Sequence, residues 1–220
     1  MVGNWSIKLE NLGMAIERVL TVILVDGMIL LICIFFLGNF SILRAENKME
    51  IELVPFGQIE SPIFDYLIKN LAEVFNAQMT VTEAQPSPEY AFDKKRRQYF
   101  SSVILEKLSR FKKDQSKKLL GLIDRDLFVP QLNFVFGEAS PSPGICIISL
   151  TRLRQTYYGL PEDRDLFLKR TLKEAVHELG HLLHLGHCPL PSCVMHFSNS
   201  LLDTDRKDYR FCSRCQKLIS

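Results

Sequence analysis

The sequence predicts an α/β sandwich that carries a small, irregular subdomain at its C-terminal end. Strand-like and helix-like patterns alternate from residue 51 to residue 185, and such alternation is typical of layered α/β folds. From Cys188 to Ser220 no long periodic element follows, although four of the six cysteines lie there. The 220 residues, 47% hydrophobic and 24% charged, suffice for one ordinary domain and an appendage.

The predicted elements are short apolar runs and longer amphipathic stretches. Residues 62–75 and 166–185 repeat apolar side chains at helical spacing, and residues 132–136 (LNFVF) alternate as a half-buried strand does. Glycine and proline punctuate the chain between several of these runs. The predicted strands cover residues 51–54, 78–82, 119–123, 132–136 and 144–150, and the predicted helices cover residues 62–75, 99–111 and 166–185.

Residues 1–48 form a hydrophobic N-terminal extension that differs in composition from the rest of the chain. Residues 19–40 are almost wholly apolar and long enough to cross a bilayer, but Asp26 and Gly27 interrupt them. No small-residue signal-peptidase site follows. Three interpretations stay open: a membrane anchor, an uncleaved targeting segment, or a non-native upstream segment, since Met49 opens a fresh globular pattern.

Charge and cysteine usage restrict the partners and the compartment. The formal net charge is only +2, so the composition gives no case for a nucleic-acid partner. The pairs Cys188/Cys193 and Cys212/Cys215 are spaced like metal-binding knuckles rather than like a disulfide framework. Because reduced thiolates indicate a reducing compartment, we expect a cytoplasmic protein, membrane-anchored if residues 19–40 span a bilayer.

A histidine cluster predicts a catalytic zinc site. His177 and His181 are four residues apart, so both imidazoles lie on one face of a helix and can bind a single ion. Glu178 stands beside His177 and can reach a zinc-bound water without being a ligand. Zinc lowers the pKa of such a water toward about 7, and a carboxylate can then take its proton as it attacks a carbonyl.

The third ligand is predicted to be His187 rather than His184. If the helix continued, His184 would lie two turns from His177, roughly 10 Å along the axis, and could not share an ion with both other histidines. His187 can do so if the chain bends back, and Gly186 tolerates the backbone angles of such a bend. The fourth coordination position is left for water and substrate.

A second, structural zinc is predicted from the four C-terminal cysteines. Cys188 and Cys193, with Cys212 and Cys215, supply four thiolates, which suit a closed tetrahedral site. We therefore expect two zinc ions per chain, one catalytic and one structural. Since Cys188 directly follows His187, we expect loss of the cysteine zinc to weaken the catalytic one.

These residues resemble the archaemetzincins, a family of the metzincin metallopeptidases. The order of elements from Met49 onward is also similar. The resemblance implies a compact metzincin-like domain with a twisted mixed sheet and an active-site helix over residues 49–187, and a zinc-stabilised subdomain over residues 188–220. The matching positions are His177, Glu178, Gly180, His181, Leu185, His187, Cys188, Cys193, Met195, Cys212 and Cys215.

The resemblance also implies roles for two further features and exposes one departure. It implies that Met195 lies in the Met-turn, a tight loop whose methionine forms an apolar floor beneath the catalytic zinc. It makes residues 132–136 the antiparallel edge strand along which a peptide substrate adds. His184 stands where the family has a glycine, and a histidine at positive φ is strained by about 1–3 kcal/mol. We therefore expect Gly186 to take part of the bend, or the helix to run slightly longer.

The sequence therefore predicts a zinc metallopeptidase in which a zinc-bound water attacks the peptide bond, with Glu178 as general base and then general acid. Peptides or small proteins are the expected substrates, and the chain is expected to act as a monomer. The alternative is a zinc-stabilised peptide-binding protein with little or no catalytic activity. The motifs leave open whether cleavage is internal or at an amino terminus.

Overall fold

The computed structural model describes residues 23–25, 28–30 and 48–219, in two compact units, Met1–Glu46 and Asn47–Ser220. In the first unit the strands β1 (Ile23–Val25) and β2 (Met28–Leu30) pair antiparallel. The rest of residues 19–40, interpreted above as an anchor, a targeting segment or foreign sequence, lies outside the described residues. Among the described helices, none is both long enough and apolar enough to cross a membrane.

A five-stranded mixed sheet lies at the centre of the second unit. Neighbouring strands run parallel except at one edge, where the last strand is antiparallel, so the predicted mixed sheet is confirmed. In spatial order the strands are β4 (Ala77–Val81), β3 (Met49–Phe56), β7 (Lys118–Ile123), β10 (Ile145–Ser149) and β9 (Gly137–Ser140). A smaller sheet contains β5 (Phe92–Asp93), β6 (Gln98–Phe100) and β8 (Leu127–Phe128).

Helices cover both faces of the main sheet. The α-helices of the described residues are α1 (Ser61–Phe75), α2 (Ser101–Phe111), α3 (Arg164–Leu182), α4 (Leu201–Arg206) and α5 (Ser213–Ile219). Ile51 and Leu53 of β3 belong to the core under α1 and α3, whereas Val54 and Phe56 belong to the core under α2. Burial on both faces explains why the central strands are nearly continuous apolar runs.

Helix α3 carries the histidine motif and ends at Leu182, earlier than predicted. The N–H of Leu185 donates to the carbonyl of Gly180 at 3.1 Å, and the N–H of His184 donates to that of His181 at 2.9 Å. These two bonds form a Schellman motif, which stops a helix and satisfies its last carbonyl groups. The bend thus begins directly after the second histidine of the motif.

The prediction of a strand at residues 132–136 is wrong. Apart from an isolated antiparallel bridge between Val135 and Leu127, this segment is a loop, and the carbonyl oxygens of Leu132 and Asn133 accept hydrogen bonds from the Arg96 guanidinium at 2.7 and 3.0 Å. These bonds hold the backbone of Leu132 and Asn133 against Arg96 rather than against a neighbouring strand. The antiparallel edge strand is instead β9, which directly follows the loop.

Candidate metal centre

Helix α3 brings two imidazoles together, and the bend after it adds a third. The Nε2 atoms of His177 and His181 lie 3.1 Å apart. The ring centroid of His187 lies 5.4 Å from that of His177 and 5.0 Å from that of His181. One ligand nitrogen from each of the three lies within 4.8 Å of the others. The three histidines expected to share an ion are therefore close enough to do so.

Hydrogen bonds to backbone carbonyls set how two of the imidazoles face the centre. Nδ1 of His177 lies 2.8 Å from the carbonyl oxygen of Val194, and Nδ1 of His181 lies 2.7 Å from that of Leu185. A carbonyl oxygen only accepts, so each Nδ1 carries the proton and each Nε2 presents a lone pair. Burial lowers the pKa of His177 well below its ordinary value and also lowers that of His181, which favours these neutral forms.

The donor set fits zinc. Two lone pairs that face each other across 3.1 Å repel unless a cation lies between them. Nitrogens about 2.0–2.1 Å from a tetrahedral zinc ion are about 3.3 Å apart, close to the observed separation. His187 is exposed and lines a cleft, so the group stays open on one side, as a catalytic centre requires.

His184 makes the bend itself and stays outside the imidazole group. Its φ is 62°, and a non-glycine residue in this region carries strain of order 1–3 kcal/mol. It occupies the position of the Schellman motif where glycine is usual. Gly186 does not adopt a positive φ, and α3 does not extend past Leu182. The two expectations that would have kept His184 out of the strained conformation, a bend at Gly186 or a longer helix, are therefore wrong.

Glu178 lies beside this group with a carboxylate that is free of hydrogen bonds. The residue is 5% exposed, and within residues 48–219 no group donates a hydrogen bond to it. Burial raises the pKa of Glu178 well above its ordinary value, and the Glu174 carboxylate acts in the same direction. A dication held by the histidines would oppose both effects and favour the ionised form.

Gly137 of the edge strand explains how Glu178 fits against the sheet. A Cβ atom at this position would lie 2.6 Å from Cγ and 2.7 Å from Oε1 of Glu178, closer than packed atoms tolerate. The glutamate can approach β9 only because residue 137 has no side chain. The role of Gly137 was not predicted, because its contact with Glu178 joins positions far apart in the chain. The available sequence signal was a glycine at the start of an edge strand.

Met195, for which the resemblance implies a Met-turn, packs against Gly180 of the helix that carries two of the histidines. It is fully buried, and a Cβ atom on Gly180 would lie 2.5 Å from its Sδ atom. The helix therefore needs a glycine at position 180 for the turn to approach. The carbonyl of Met195 also accepts a hydrogen bond from the N–H of Cys188 at 2.9 Å, so this turn contacts the residue that follows the third histidine.

A buried ion pair joins the catalytic helix to the chain after the turn. Lys207 is 2% exposed; its Nζ atom lies 3.0 Å from Oε1 of Glu174 and donates to the carbonyl of His196 at 3.4 Å. The Thr204 hydroxyl donates to the same Glu174 oxygen at 3.1 Å. Neither charged residue was predicted, because neither belongs to a motif. The position of Glu174, one turn before Glu178, was the available signal.

The four C-terminal cysteines form a second group, with one Sγ atom from each within 4.8 Å of the others. The Sγ atoms of Cys188 and Cys212 lie 3.9 Å apart, and those of Cys193 and Cys215 lie 3.8 Å apart. A disulfide would need about 2.05 Å, whereas thiolates about 2.3 Å from a tetrahedral zinc ion are about 3.8 Å apart. The backbone N–H of Cys215 lowers the pKa of the Cys212 thiol to about 7, whereas burial raises the pKa of Cys193 and Cys215; a bound cation would favour the thiolate form of all of them.

The histidine centre opens into a cleft of about 970 Å³. Residues of β9, of α3, of the loop over residues 129–136 and of the segment over residues 197–199 line it. A cleft of this size beside an edge strand can accommodate an extended peptide.

Comparison with known proteins decides the family. The model of "Peptidase family M54" matches residues 53–220. This chain belongs to peptidase family M54. It is also 40% identical over 173 residues to the archaemetzincin of Pyrococcus abyssi, a match that covers 76% of this chain and 92% of that protein.

Solved structures of M54 relatives have the same fold. The archaemetzincin of Methanopyrus kandleri is 39% identical with a TM-score of 0.71, over 80% of this chain and 96% of that one. The archaemetzincin of Archaeoglobus fulgidus, solved in complex with malonate, is 36% identical with a TM-score of 0.68, over 78% of this chain and 100% of that one. The resemblance is confirmed, and this M54 peptidase is a zinc metallopeptidase; a binding protein without catalysis is not favoured.

Proposed function

We propose that this M54 peptidase hydrolyses peptide bonds at a zinc ion held by His177, His181 and His187, with Glu178 as general base. Zinc at this place would supply an activated water and a Lewis acid for the scissile carbonyl. One observation carries the proposal. Three imidazoles converge, two of them with Nε2 atoms 3.1 Å apart, beside a buried carboxylate that no described group hydrogen-bonds.

Glu178 moves the proton in this mechanism. Its carboxylate accepts a proton from the attacking water and returns it to the leaving amine as the peptide bond breaks. The close contact with Gly137 and the burial of the side chain fix the carboxylate against β9, in the cleft that the three histidines also line. A pKa raised by burial also makes the ionised carboxylate a stronger base than one in bulk water.

The edge strand β9 offers backbone groups to an extended substrate. The N–H of Ser149 donates to the carbonyl of Phe136 at 2.7 Å. Because bonding alternates along an antiparallel ladder, Glu138 is the next residue to bond to β10. The N–H and C=O groups of Gly137 and Ala139 therefore face the free edge. We expect a peptide to add there as an antiparallel strand, within reach of the general base.

The cysteine group is proposed to hold a second, structural zinc, which gives two ions per chain. Its four sulfur atoms are spaced as a tetrahedral zinc requires, and three of the four cysteines are buried. In this proposal residues 49–187 form the catalytic part through the third ligand. Residues 188–220 form the zinc-stabilised subdomain, which includes the turn around Met195.

A reducing compartment such as the cytoplasm is the proposed location. It is supported by five free cysteines among the described residues, including all four of the proposed structural site. Peptides or small proteins are the proposed substrates, and the small net charge of +2 supports a function without nucleic acid. Action as a monomer and membrane contact through residues 19–40 stay predictions.

The test is the variant Glu178→Gln in the full-length, zinc-loaded chain. Loss of a general base costs about 10²–10⁴ in rate, so we expect a loss of this size in kcat on a library of internally quenched peptides. Glu162→Gln, at an exposed position outside the cleft, is the matched control and should leave kcat unchanged. Zinc content, measured by plasma mass spectrometry, should stay at two ions per chain in both variants. Unchanged hydrolysis by Glu178→Gln would sink the proposed role, and one ion per chain would contradict the two-zinc proposal.

A further inference from the structure

Two side-chain polar atoms that are fully buried lack a hydrogen-bond partner, and both belong to residues that line the catalytic cleft. Within residues 48–219 they are Oε2 of Glu138 and Oγ of Ser198. Buried polar groups in folded proteins are nearly always paired, so each unpaired group needs an explanation. In a substrate cleft, the simplest explanation is a partner that arrives with the substrate.

The charged side chains that line the cleft are all acidic. They are Glu138, Glu174 and Glu178, and no lysine or arginine among the described residues lines the cleft, although the chain carries a net charge of +2. Glu174 already has a counter-ion, because Nζ of Lys207 lies 3.0 Å away. Glu178 is the proposed general base. Among these three carboxylates, Glu138 is therefore the one that has no counter-ion among the described residues and no role in the proposed mechanism.

Glu138 points to the side of the edge strand that faces away from the catalytic helix. Side chains alternate along a strand, and its neighbours face α3, since Gly137 abuts Glu178 and Ala139 packs into the core under that helix. Oε1 of Glu138 accepts a hydrogen bond from the Ser102 hydroxyl at 2.7 Å, at the start of α2. One carboxylate oxygen is thus anchored, and the other is left without a donor.

A substrate strand bonded to Gly137 and Ala139 would place one of its residues directly opposite Glu138. Residues directly opposite each other across two strands have Cβ atoms about 4.5–5.5 Å apart on the same face. The side chain of that substrate residue therefore lies on the Glu138 side of the sheet. Oε2 itself is buried, but Glu138 as a residue is only half-buried, so a turn about its side-chain torsions would present Oε2 to this neighbour.

We infer that Glu138 selects a basic side chain, lysine or arginine, at the substrate position opposite it through a cross-strand ion pair. The inference rests on the proposed function, because it requires a substrate that binds along β9. A free N-terminal ammonium at the same place carries the same charge, and the experiment below separates the two sources.

The test uses internally quenched peptides with acetylated N-termini and amidated C-termini. Lysine or norleucine is placed in turn at each position on either side of the bond that the natural chain cleaves. We expect one position where lysine is preferred by about tenfold in kcat/KM, the scale of a charge-assisted hydrogen bond. Glu138→Gln should remove this preference, since glutamine can still accept from Ser102 but has no charge. Glu83→Gln, at an exposed position outside the cleft, is the matched control and should keep it.

Charge reversal gives an independent arm, because Glu138→Lys should shift the preference at that position toward glutamate. A natural chain that ignores lysine at every position, or a preference that survives Glu138→Gln, overturns the inference. Faster cleavage of peptides with a free amine, combined with indifference to lysine in acetylated peptides, also overturns it and assigns the subsite to the N-terminus. Failure of the natural chain to cleave any peptide would sink the proposed function, and the inference with it.

Discussion

The histidine group and the cysteine group are neighbours in sequence but differ in how they are built. The histidines stand on a long helix and the bend that follows it, and His187 is exposed at the cleft. The cysteines come from a turn and from around the short helix α5, and three of the four are buried. The first group is an open centre on a rigid element, and the second is a closed one on short elements.

What holds each group in place without a metal also differs. Two imidazoles are oriented by backbone carbonyls at 2.7 and 2.8 Å, within an element that has its own hydrogen bonds and core contacts. The sulfur atoms contact mainly one another and a backbone N–H of the same group. We therefore expect the histidine centre to exchange its metal without unfolding and the cysteine centre to require its metal for folding.

The largest expected effect that tests this comparison is removal of the cysteine centre. Structural zinc contributes on the order of 10 kcal/mol in small zinc-binding domains, which is comparable with the whole stability of about 5–15 kcal/mol of a typical protein. Cys212→Ser combined with Cys215→Ser should therefore abolish the structural zinc and unfold residues 188–219. It should also lower the occupancy of the histidine centre, because Cys188 no longer fixes the direction of His187.

Zinc content per chain and thermal unfolding followed by circular dichroism measure both effects. Cys146→Ser is the matched control, because Cys146 is also a free, buried cysteine but lies outside the group. It should keep two ions per chain. A double variant that keeps a full histidine zinc would show that the first centre does not depend on the second.

Most of the sheet was predictable because its central strands are buried on both faces, which leaves a continuous apolar run in the sequence. The alternating pattern at residues 132–136 also predicted a strand, but this segment forms a loop. Arg96 donates hydrogen bonds to the carbonyl groups of Leu132 and Asn133. The guanidinium of Arg152 stacks 4.2 Å from the ring centroid of Phe134. Both arginines are distant in sequence, and a local pattern contains no information about such partners.

The histidine group was predictable for a related reason, since helix geometry relates residues four apart and the bend is local. The roles of Gly137 and Glu138 depend on how the edge strand meets α2 and α3. That register is decided by the packing of the whole sheet, so no short segment specifies it. His196 also had no predictable role, although the structure gives it a clear contact.

An intermediate effect is expected at His196, which follows Met195 and contacts Cys188, the member of the cysteine group that directly follows the third histidine. Its Nδ1 atom lies 3.0 Å from the carbonyl oxygen of Cys188, and the N–H of Cys188 donates to Met195 at 2.9 Å. The turn thus holds Cys188 from both sides, and His187 is positioned with it. Hydrogen bonds that orient metal ligands are worth about 10–100-fold in metal affinity, so His196→Ala should weaken the histidine zinc by about tenfold.

Competition with a fluorescent chelator measures this affinity without relying on activity. His196→Asn keeps a side-chain donor near the Cys188 carbonyl and should recover most of the affinity. The proposed cysteine zinc, followed by its slower release, should be weakened less than the histidine zinc in both variants, because three further cysteines hold it. Equal weakening of the two ions would mean that His196 supports the subdomain as a whole rather than the histidine centre.

The smallest effect is expected at the bend itself. His184 has a φ of 62° and is exposed, so His184→Gly should relieve strain of order 1–3 kcal/mol, partly offset by about 0.4–1 kcal/mol of extra unfolded-chain entropy. We expect a net gain of roughly 1 kcal/mol in the free energy of unfolding, measured as a higher denaturant midpoint at unchanged slope. His184→Ala keeps the Cβ atom and should give no such gain.

The zinc affinity of the histidine centre in His184→Gly shows whether the strained residue also positions His187. If helix α3 and the Schellman motif hold the centre without metal, His184→Gly changes stability but leaves zinc affinity within about twofold, since the hydrogen bonds of the bend remain. A large change in affinity would instead show that the strained residue sets the position of His187. The histidine centre would then depend on the backbone angle of His184. Only its two ligands on helix α3 would then be held independently of the metal, unlike the cysteines.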